Sequence, residues 1–301
     1  MKIGLHVPSF AWEGGSAALC DHLANVAEAA EAAGFDQITV MDHFFALGAG
    51  EGAYRNPMLE AYTALGFIAA RTARVRVGAL VTGVTYRYPG ILIKQATTLN
   101  VLSKGRGFLG IGAAWHEHEH RAFGVPFPPL KERFERLEET LQIAHQAWRG
   151  DARPFAGKYY QLAEPLLSPE SVTRPRPRIL IGGSGEQKTL RLVAQYADAC
   201  HIFAGDPGEA RRKLDVLRGH CAAVGRDEAE IEKTGGMRMD IAADGSNVQE
   251  VIDRFSAAGE AGFDLLTTAL PDVYNLEAIH LFGERVIPAV ARVGSRATST
   301  H

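Results

Sequence analysis

Short apolar runs alternate along the chain with longer segments of helical periodicity, and this alternation constrains the fold more than any other feature. In the first helical segment Leu23, Val26, Ala27 and Ala30 fall on one face, and Gly34 follows as a C-terminal cap. The predicted strand–helix pairs are residues 3–7 and 19–33, 38–41 and 57–72, 75–81 and 90–102, 107–112 and 131–148, 178–183 and 186–196, 199–203 and 208–224, 237–242 and 248–258, and 263–268 and 276–290.

Eight such units are the number found in a (β/α)₈ TIM barrel, whose parallel strands are apolar because both faces are buried. A doubly wound open sheet is the main alternative, but no glycine-rich dinucleotide fingerprint follows the first strand. We therefore expect one barrel domain over residues 1–293, with a flexible polar tail over 294–301. Between units four and five, residues 150–177 contain five prolines, which indicates either a functional loop or a small excursion such as a hairpin.

Composition excludes several classes of function. A net charge of -3 over 301 residues gives no reason to expect nucleic acid or an anionic membrane as a partner. No apolar run approaches the roughly 18 residues of a membrane span, and no basic-plus-apolar leader is evident. Cys20, Cys200 and Cys221 are widely spaced, which favours a reducing compartment, so we expect a cytoplasmic protein.

Catalytic groups of a barrel gather where its strands end. Asp42 and His43 follow the second strand, and a carboxylate beside an imidazole suits proton transfer. Alternatively, Asp42 caps a helix and His43 is a half-buried structural residue. Thr82 follows the third strand. Gly112 and Ala113 follow the fourth, where small residues either leave room for a ligand or pack tightly.

A second glycine-rich stretch follows the fifth predicted strand. Gly182, Gly183, Ser184 and Gly185 precede a predicted helix, so their backbone amides and the helix dipole would form an anion cradle suited to phosphate.

The stretch "WHEHEH", residues 115–120, contains the HExxH spacing of zinc enzymes as His116, Glu117 and His120. It adjoins a glycine-rich strand end and is not part of a long apolar helix. A solvated polar loop and the rim of a cofactor pocket are the alternatives to zinc, and we expect no metal.

Several segments together resemble the luciferase-like monooxygenase superfamily, and within it the oxidoreductases that use coenzyme F420, a deazaflavin. They are "VMDHFF" (40–45), "VRVGALVTGVTYRYPG" (75–90), "GFLGIGAAWHEHEHRAFG" (107–124), "ILIGGSGEQKTL" (179–190) and "LEAIHLFGERVIPAV" (276–290).

This resemblance implies a flat isoalloxazine-like ring lying across the strand ends, with Asp42 and His43 beside its reactive edge. A non-prolyl cis peptide near Leu80, Val81 and Thr82 would support the ring. The resemblance further implies that Gly112 and Ala113 contact the ring, that Gly182, Gly183 and Ser184 hold the phosphate, and that Trp115 and Glu119 occupy recurring positions of the pocket rim.

The activity implied by the resemblance is hydride transfer between F420 and a small organic substrate, with His43 as proton donor or acceptor and Asp42 orienting it or contacting the ring. The alternatives are an FMN-dependent monooxygenase served by a separate reductase and a non-catalytic cofactor-binding barrel. Some members carry a proton-donating glutamate after the fourth-strand glycines; Trp115 stands there in this chain, which puts a mechanism needing that acid in doubt. The resemblance also favours a homodimer.

Overall fold

The computed structural model describes residues 1–48, 52–203 and 206–293. Nine strands form one parallel sheet in the order β3-β2-β1-β11-β10-β9-β8-β5-β4. Its strands are β1 (Lys2–Val7), β2 (Gln37–Val40), β3 (Arg76–Ala79), β4 (Thr82–Gly83), β5 (Leu109–Gly112), β8 (Ile179–Gly182), β9 (Ala199–Ile202), β10 (Glu232–Arg238) and β11 (Leu265–Ala269), and the hairpin strands β6 (Phe155–Ala156) and β7 (Gln161–Leu162) lie outside it.

Helices follow the strands of the sheet. None of those in the described part of the chain is long and apolar enough to cross a lipid bilayer. They are α1 (Gly15–Ala33), α2 (Ala61–Arg71), α3 (Pro89–Leu102), α4 (Glu117–Ala122), α5 (Leu130–Trp148), α6 (Thr189–Tyr196), α7 (Pro207–Ala223), α8 (Val248–Glu260), α9 (Glu277–Leu281) and α10 (Ile287–Val290).

The third strand unit closes the sheet into a barrel. A cis peptide bond joins Leu80 and Val81, at the place the family resemblance implies. Before it β3 pairs with β2, and after it β4 pairs with β5. Val77 also exchanges backbone hydrogen bonds of 3.1 Å with Arg106 and Phe108, just before β5. Counting β3 and β4 as one unit leaves eight strand units, so the predicted TIM barrel is confirmed.

The first helix shows how the sequence pattern becomes packing. Leu23, Val26, Ala27 and Ala30 are buried against the barrel, as their spacing predicts. Burying one leucine or valine side chain contributes about 1.5–3 kcal/mol. Gly34 ends the helix at φ 91°, and its amide donates to carbonyl groups of the last turn.

The seventh strand is the clearest error of the sequence prediction. We expected residues 237–242, whereas β10 covers Glu232–Arg238. Gly235 and Gly236 weaken the strand signal, but a Cβ at either would lie 3.1 Å from neighbouring side chains, and at Gly236 that neighbour is His201 Nε2. Parallel pairing with β9 and β11 therefore favours glycine at these two positions.

Helix boundaries also differ. Helix α2 begins at Ala61, with Glu60 as its N-cap, rather than at Pro57. Helix α6, which belongs to the fifth predicted unit, begins at Thr189 rather than at residue 186. The last predicted helix, 276–290, is interrupted by a π-helical turn at Phe282–Val286.

The excursion between units four and five contains the antiparallel hairpin β6–β7, one of the two predicted outcomes. Backbone amides of Lys158, Tyr159 and Tyr160 donate to the Glu139 carboxylate at 2.8–3.2 Å and tie the hairpin to α5. The single-domain assignment stays a prediction, and its tail, 294–301, lies outside the described residues.

Candidate active site

A cavity of about 310 Å³ opens where the second to sixth strand units end. It brings together most of the residues predicted from the sequence. Asp42, His43, Leu80, Val81, Thr82, Gly112, Ala113, Gly182 and Gly183 all line it, with Gly83, Tyr86, Ala114, Trp115, Leu130, Phe134, Leu137, Thr189 and Phe203.

His43 is held by Glu119, a partner 76 positions further along the chain. The Nδ1 atom of His43 lies 2.7 Å from Oε2 of the buried Glu119 carboxylate. Backbone amides of Phe44 and Phe45 donate to Oε1 at 2.8 and 2.7 Å, and the Tyr86 hydroxyl donates to Oε2 at 2.5 Å. The carboxylate therefore fixes the imidazole and the loop that carries it.

The protonation of Glu119 decides which His43 nitrogen is available. Burial alone would raise the pKa of Glu119, but hydrogen bonds from His43, Tyr86 and Phe45 lower it to about 2. The carboxylate is therefore ionised and accepts hydrogen bonds only, so Nδ1 of His43 must carry a proton. Nε2 is left as the nitrogen that can gain or lose a proton beside the cavity.

Asp42 does not orient His43, contrary to one of the two roles predicted for it. Its buried carboxylate pairs bidentately with Arg87 at 2.7 and 2.9 Å and accepts a 3.2 Å hydrogen bond from the Gly83 amide. Burial raises the pKa of Asp42, and the Arg87 guanidinium opposes that effect. Sequence reasoning missed Arg87, because nothing in the pattern links it to a residue 45 positions earlier.

The cavity floor is formed by backbone and by Val81. A Cβ at Gly112 would lie 2.9 Å from Val81 Cγ2, and one at Gly182 would lie 2.8 Å from Val81 Cγ1. These glycines therefore admit the Val81 side chain, so tight packing accounts for them in this structure. Trp115 and Phe203 are 63% and 60% exposed at the cavity edge, and the rings of Trp115 and His43 meet edge to face at 5.6 Å.

The predicted anion cradle is only partly arranged as expected. Gly183 lines the cavity at φ 130°, and its amide donates to the His201 carbonyl at 3.0 Å. Ser184 lies outside the cavity lining and uses its hydroxyl to bind the backbone N–H and C=O of Phe203. Gly185 is outside it too, and a turn separates both residues from α6. Their contact with a phosphate stays a prediction.

The two histidines of the HExxH spacing do not converge. His120 is buried and turned away, with Nδ1 2.9 Å from the His116 carbonyl oxygen and Nε2 2.6 Å from Thr85 Oγ1. Burial lowers its pKa, which keeps the ring neutral. His116 instead points toward Glu119, with 3.3 Å between Nδ1 and Oε2. That the site works without a metal stays a prediction.

Two further imidazoles lie inside the barrel and were missed. His6 and His201 bind Thr39 and Thr234 through Nδ1 at 2.9 and 3.1 Å, and burial lowers their pKa values to about 4 and about 3. His6 lies in β1 and His201 in β9. Side chains along a barrel strand alternate between the interior and the exterior, and this alternation is the sequence signal that could have identified both histidines.

A larger cavity, of about 670 Å³, lies at the opposite end of the barrel among the N-terminal ends of the strands. Its charged lining residues pair with one another or with neighbours: Asp36 binds Lys2 at 2.7 Å and also Arg76, and Arg76 binds Glu232 at 3.0 Å. Active sites of such barrels lie at the other end, where the strands end, so we assign this cavity no catalytic role.

Comparison with known proteins places this geometry in context. The profile of the luciferase-like monooxygenase family matches residues 1–281. An F420-dependent glucose-6-phosphate dehydrogenase of Kineococcus radiotolerans is 32% identical over 232 residues, which cover 76% of this chain and 66% of that protein. The chain thus spans just under two thirds of that relative's length.

Solved structures share the fold. An F420-dependent secondary alcohol dehydrogenase in complex with an F420–acetone adduct superposes with a TM-score of 0.81 at 20% identity, covering 96% of this chain and 98% of that one. The monooxygenase RslO1 from Streptomyces bottropensis gives a TM-score of 0.77 at 18% identity, with 96% and 99% covered.

Proposed function

The chain belongs to the luciferase-like monooxygenase family, and from this premise we propose that it is an oxidoreductase that uses coenzyme F420 to transfer a hydride to or from a small organic substrate. The observation that carries the proposal is the His43–Glu119 pair at the edge of a cavity of about 310 Å³. The F420 dependence named for the relative from Kineococcus radiotolerans supports the choice of cofactor.

The residues present fit a flat, anionic cofactor. Val81 lines the cavity, and Trp115 and Phe203 leave large apolar areas exposed at its edge, which a planar ring would cover. The exposed side chain of Lys188 lies at the start of α6, with Nζ 5.3 Å from the ring centroid of Phe134, a cavity residue. A cation there suits the phosphate end of F420.

The protein's own part in the reaction is to hold the proton. Bound F420 supplies the carbon that accepts or donates the hydride. When an alcohol is oxidised, Nε2 of His43 accepts the hydroxyl proton as the hydride leaves the adjacent carbon. In the reverse direction the protonated Nε2 donates to the oxygen of the carbonyl substrate as negative charge develops there. Glu119 stabilises the imidazolium in both directions.

Cofactor titrations test the proposal. We expect F420 to bind at least tenfold more tightly than FMN. Binding can be followed by quenching of protein fluorescence or by a change in the absorbance of the cofactor. Tighter binding of FMN, with a peroxyflavin formed after reduction in air, would instead place the chain among the two-component monooxygenases with a separate reductase. Binding of F420 without turnover of any alcohol or carbonyl compound would favour a non-catalytic barrel.

We also propose that the protein is a cytoplasmic homodimer. Tyr88, Ile91 and Leu102 of helix α3 and its N-cap are 61–78% exposed, which is unusual for apolar side chains unless a partner covers them. The three cysteines form no disulfide, and Cys200 and Cys221 are buried. Light scattering should give twice the 32.5 kDa chain mass, and Ile91→Asp should give monomers.

A further inference from the structure

Two imidazoles and one carboxylate converge beside the candidate active site. Oε2 of Glu119 lies 2.7 Å from Nδ1 of His43 and 3.3 Å from Nδ1 of His116, and the three atoms lie within 4.8 Å of one another. The Nδ1 atom of His116 is itself buried and has no hydrogen-bond partner among the described residues. An unpartnered buried nitrogen in such a cluster needs an explanation.

The cluster has the composition of a transition-metal site. Two histidine nitrogens and a carboxylate oxygen form the protein ligand set of several zinc enzymes, with remaining positions open to solvent or substrate. Ligand atoms of a tetrahedral zinc site lie about 3.3 Å apart, given zinc–ligand bonds of about 2.0–2.1 Å. The 3.3 Å separation between Glu119 and His116 equals that value, the 2.7 Å separation between Glu119 and His43 is shorter, and all three ligand atoms lie within 4.8 Å of one another.

We propose that His43, His116 and Glu119 bind a divalent transition metal ion such as Zn²⁺, and that the bound ion inhibits the enzyme. The ion would use Nδ1 of His43, the atom that now donates to Glu119, so solvent would take the Nδ1 proton and supply one to Nε2, and the imidazole would bind as the neutral opposite tautomer. The ion's open coordination positions would face the cavity that His43 lines. The site thus differs from the HExxH spacing of the sequence, because His43 takes the place of His120.

Inhibition rests on the proposed role of His43, whereas metal binding does not. The two parts can therefore fail separately.

The test uses the protein without an affinity tag. Isothermal titration with ZnCl₂ alone should show one equivalent bound, and Co²⁺ should give the visible absorption of a tetrahedral site. His116→Gln should weaken Zn²⁺ binding at least tenfold. His118→Gln is the matched control, because His118 lies two residues from His116, with the ring centroids 6.2 Å apart, but supplies none of the three converging ligand atoms. This variant should bind Zn²⁺ as the wild type does.

The second measurement is the ratio of turnover with and without Zn²⁺ within each protein. We expect Zn²⁺ to suppress turnover of the wild type and of His118→Gln, with recovery on adding EDTA, and to affect His116→Gln at least tenfold less. No stoichiometric binding, or equal binding by folded His116→Gln, overturns the site. Normal binding with unchanged turnover overturns the inhibition and leaves the F420-dependent activity itself intact.

Discussion

Replacing Glu119 by glutamine tests how the site sets the protonation of His43. The amides of Phe44 and Phe45 donate to Oε1, so the glutamine carbonyl must stay there and its NH₂ group must take the place of Oε2. That NH₂ can donate to Nδ1 of His43 only if Nδ1 has no proton. We therefore expect the imidazole to adopt the opposite tautomer, with its proton on Nε2, where the substrate proton has to be received.

The size of the effect follows from the role of the lost base. Removing a general base or acid typically costs about 10²–10⁴-fold in rate, and Glu119→Gln should slow hydride transfer by an amount in that range. Cofactor affinity should change little, because Glu119 does not line the cavity. A loss of rate at nearly constant affinity is what separates a change of tautomer from damage to the binding site.

The same variant should lose stability in a pH-dependent way. The pKa of Glu119 falls from 4.5 to about 2 on folding, which corresponds to about 3 kcal/mol of stability. This contribution is fully present above pH 4.5 and is lost as the pH falls toward 2, because protonation then removes the charge that the hydrogen bonds stabilise. The stability gap between the wild type and Glu119→Gln should therefore narrow between pH 5 and pH 3.

Two assays check the prediction. Reduced F420 mixed rapidly with a carbonyl acceptor found by screening gives the single-turnover rate, and urea unfolding at pH 7 and pH 3.5 gives the stability. Glu117→Gln is the control, because Glu117 is exposed and pairs with Arg121 at 3.5 Å on the surface of α4. A folded Glu119→Gln protein with hydride transfer within threefold of wild type would refute the anchoring role.

Three further substitutions test other parts of the site. His43→Ala should reduce the single-turnover rate about 10²–10⁴-fold with F420 affinity nearly unchanged; near-normal transfer would remove His43 from the mechanism. Gly183→Val should weaken F420 binding by about 1–3 kcal/mol, because φ is 130° and a Cβ would lie 3.3 Å from Thr189 Cγ2; equal affinity in a titration of the folded variant would mean that the phosphate binds elsewhere. Arg87→Leu should lower the free energy of unfolding, measured with urea, by about 3–5 kcal/mol, because the Asp42 carboxylate is left buried and unpaired. Adding Asp42→Asn should restore most of the lost stability. A single variant as stable as the wild type would show that the pair contributes little.

The parts of the fold that were predictable are those set by local pattern. The spacing of Leu23, Val26 and Ala30 predicted the buried face of α1, and Gly34 marked its end correctly. The error at β10 has the opposite origin, because Gly235 and Gly236 carry no strand signal and only neighbouring strands fix their register. Sequence periodicity cannot identify a strand position whose residue is determined by contacts with neighbouring strands.

The candidate site divides in the same way. Asp42 and His43 were identifiable because they follow a strand, and the structure places both at the cavity. Their partners Arg87 and Glu119 lie 45 and 76 positions away, so no spacing rule connects them. Gly112 was predicted either to leave room for a ligand or to pack tightly, and Gly182 was predicted to belong to an anion cradle. Both glycines pack against Val81, and their contact with a cofactor stays a prediction.

Asp42 and His43 are adjacent in the chain, but the structure gives them different electrostatic surroundings. The charge of Asp42 is neutralised by Arg87 in a buried bidentate pair. Protonation of the carboxylate is unfavourable, because it would leave the buried guanidinium without its counter-charge. The charge of Glu119 is stabilised by four hydrogen-bond donors and holds the Nδ1 proton of His43 in place. Among these three groups, Nε2 of His43 is the proton donor or acceptor that we propose for the reaction, and its placement depends on loops after β2, β4 and β5 meeting at one end of the closed barrel.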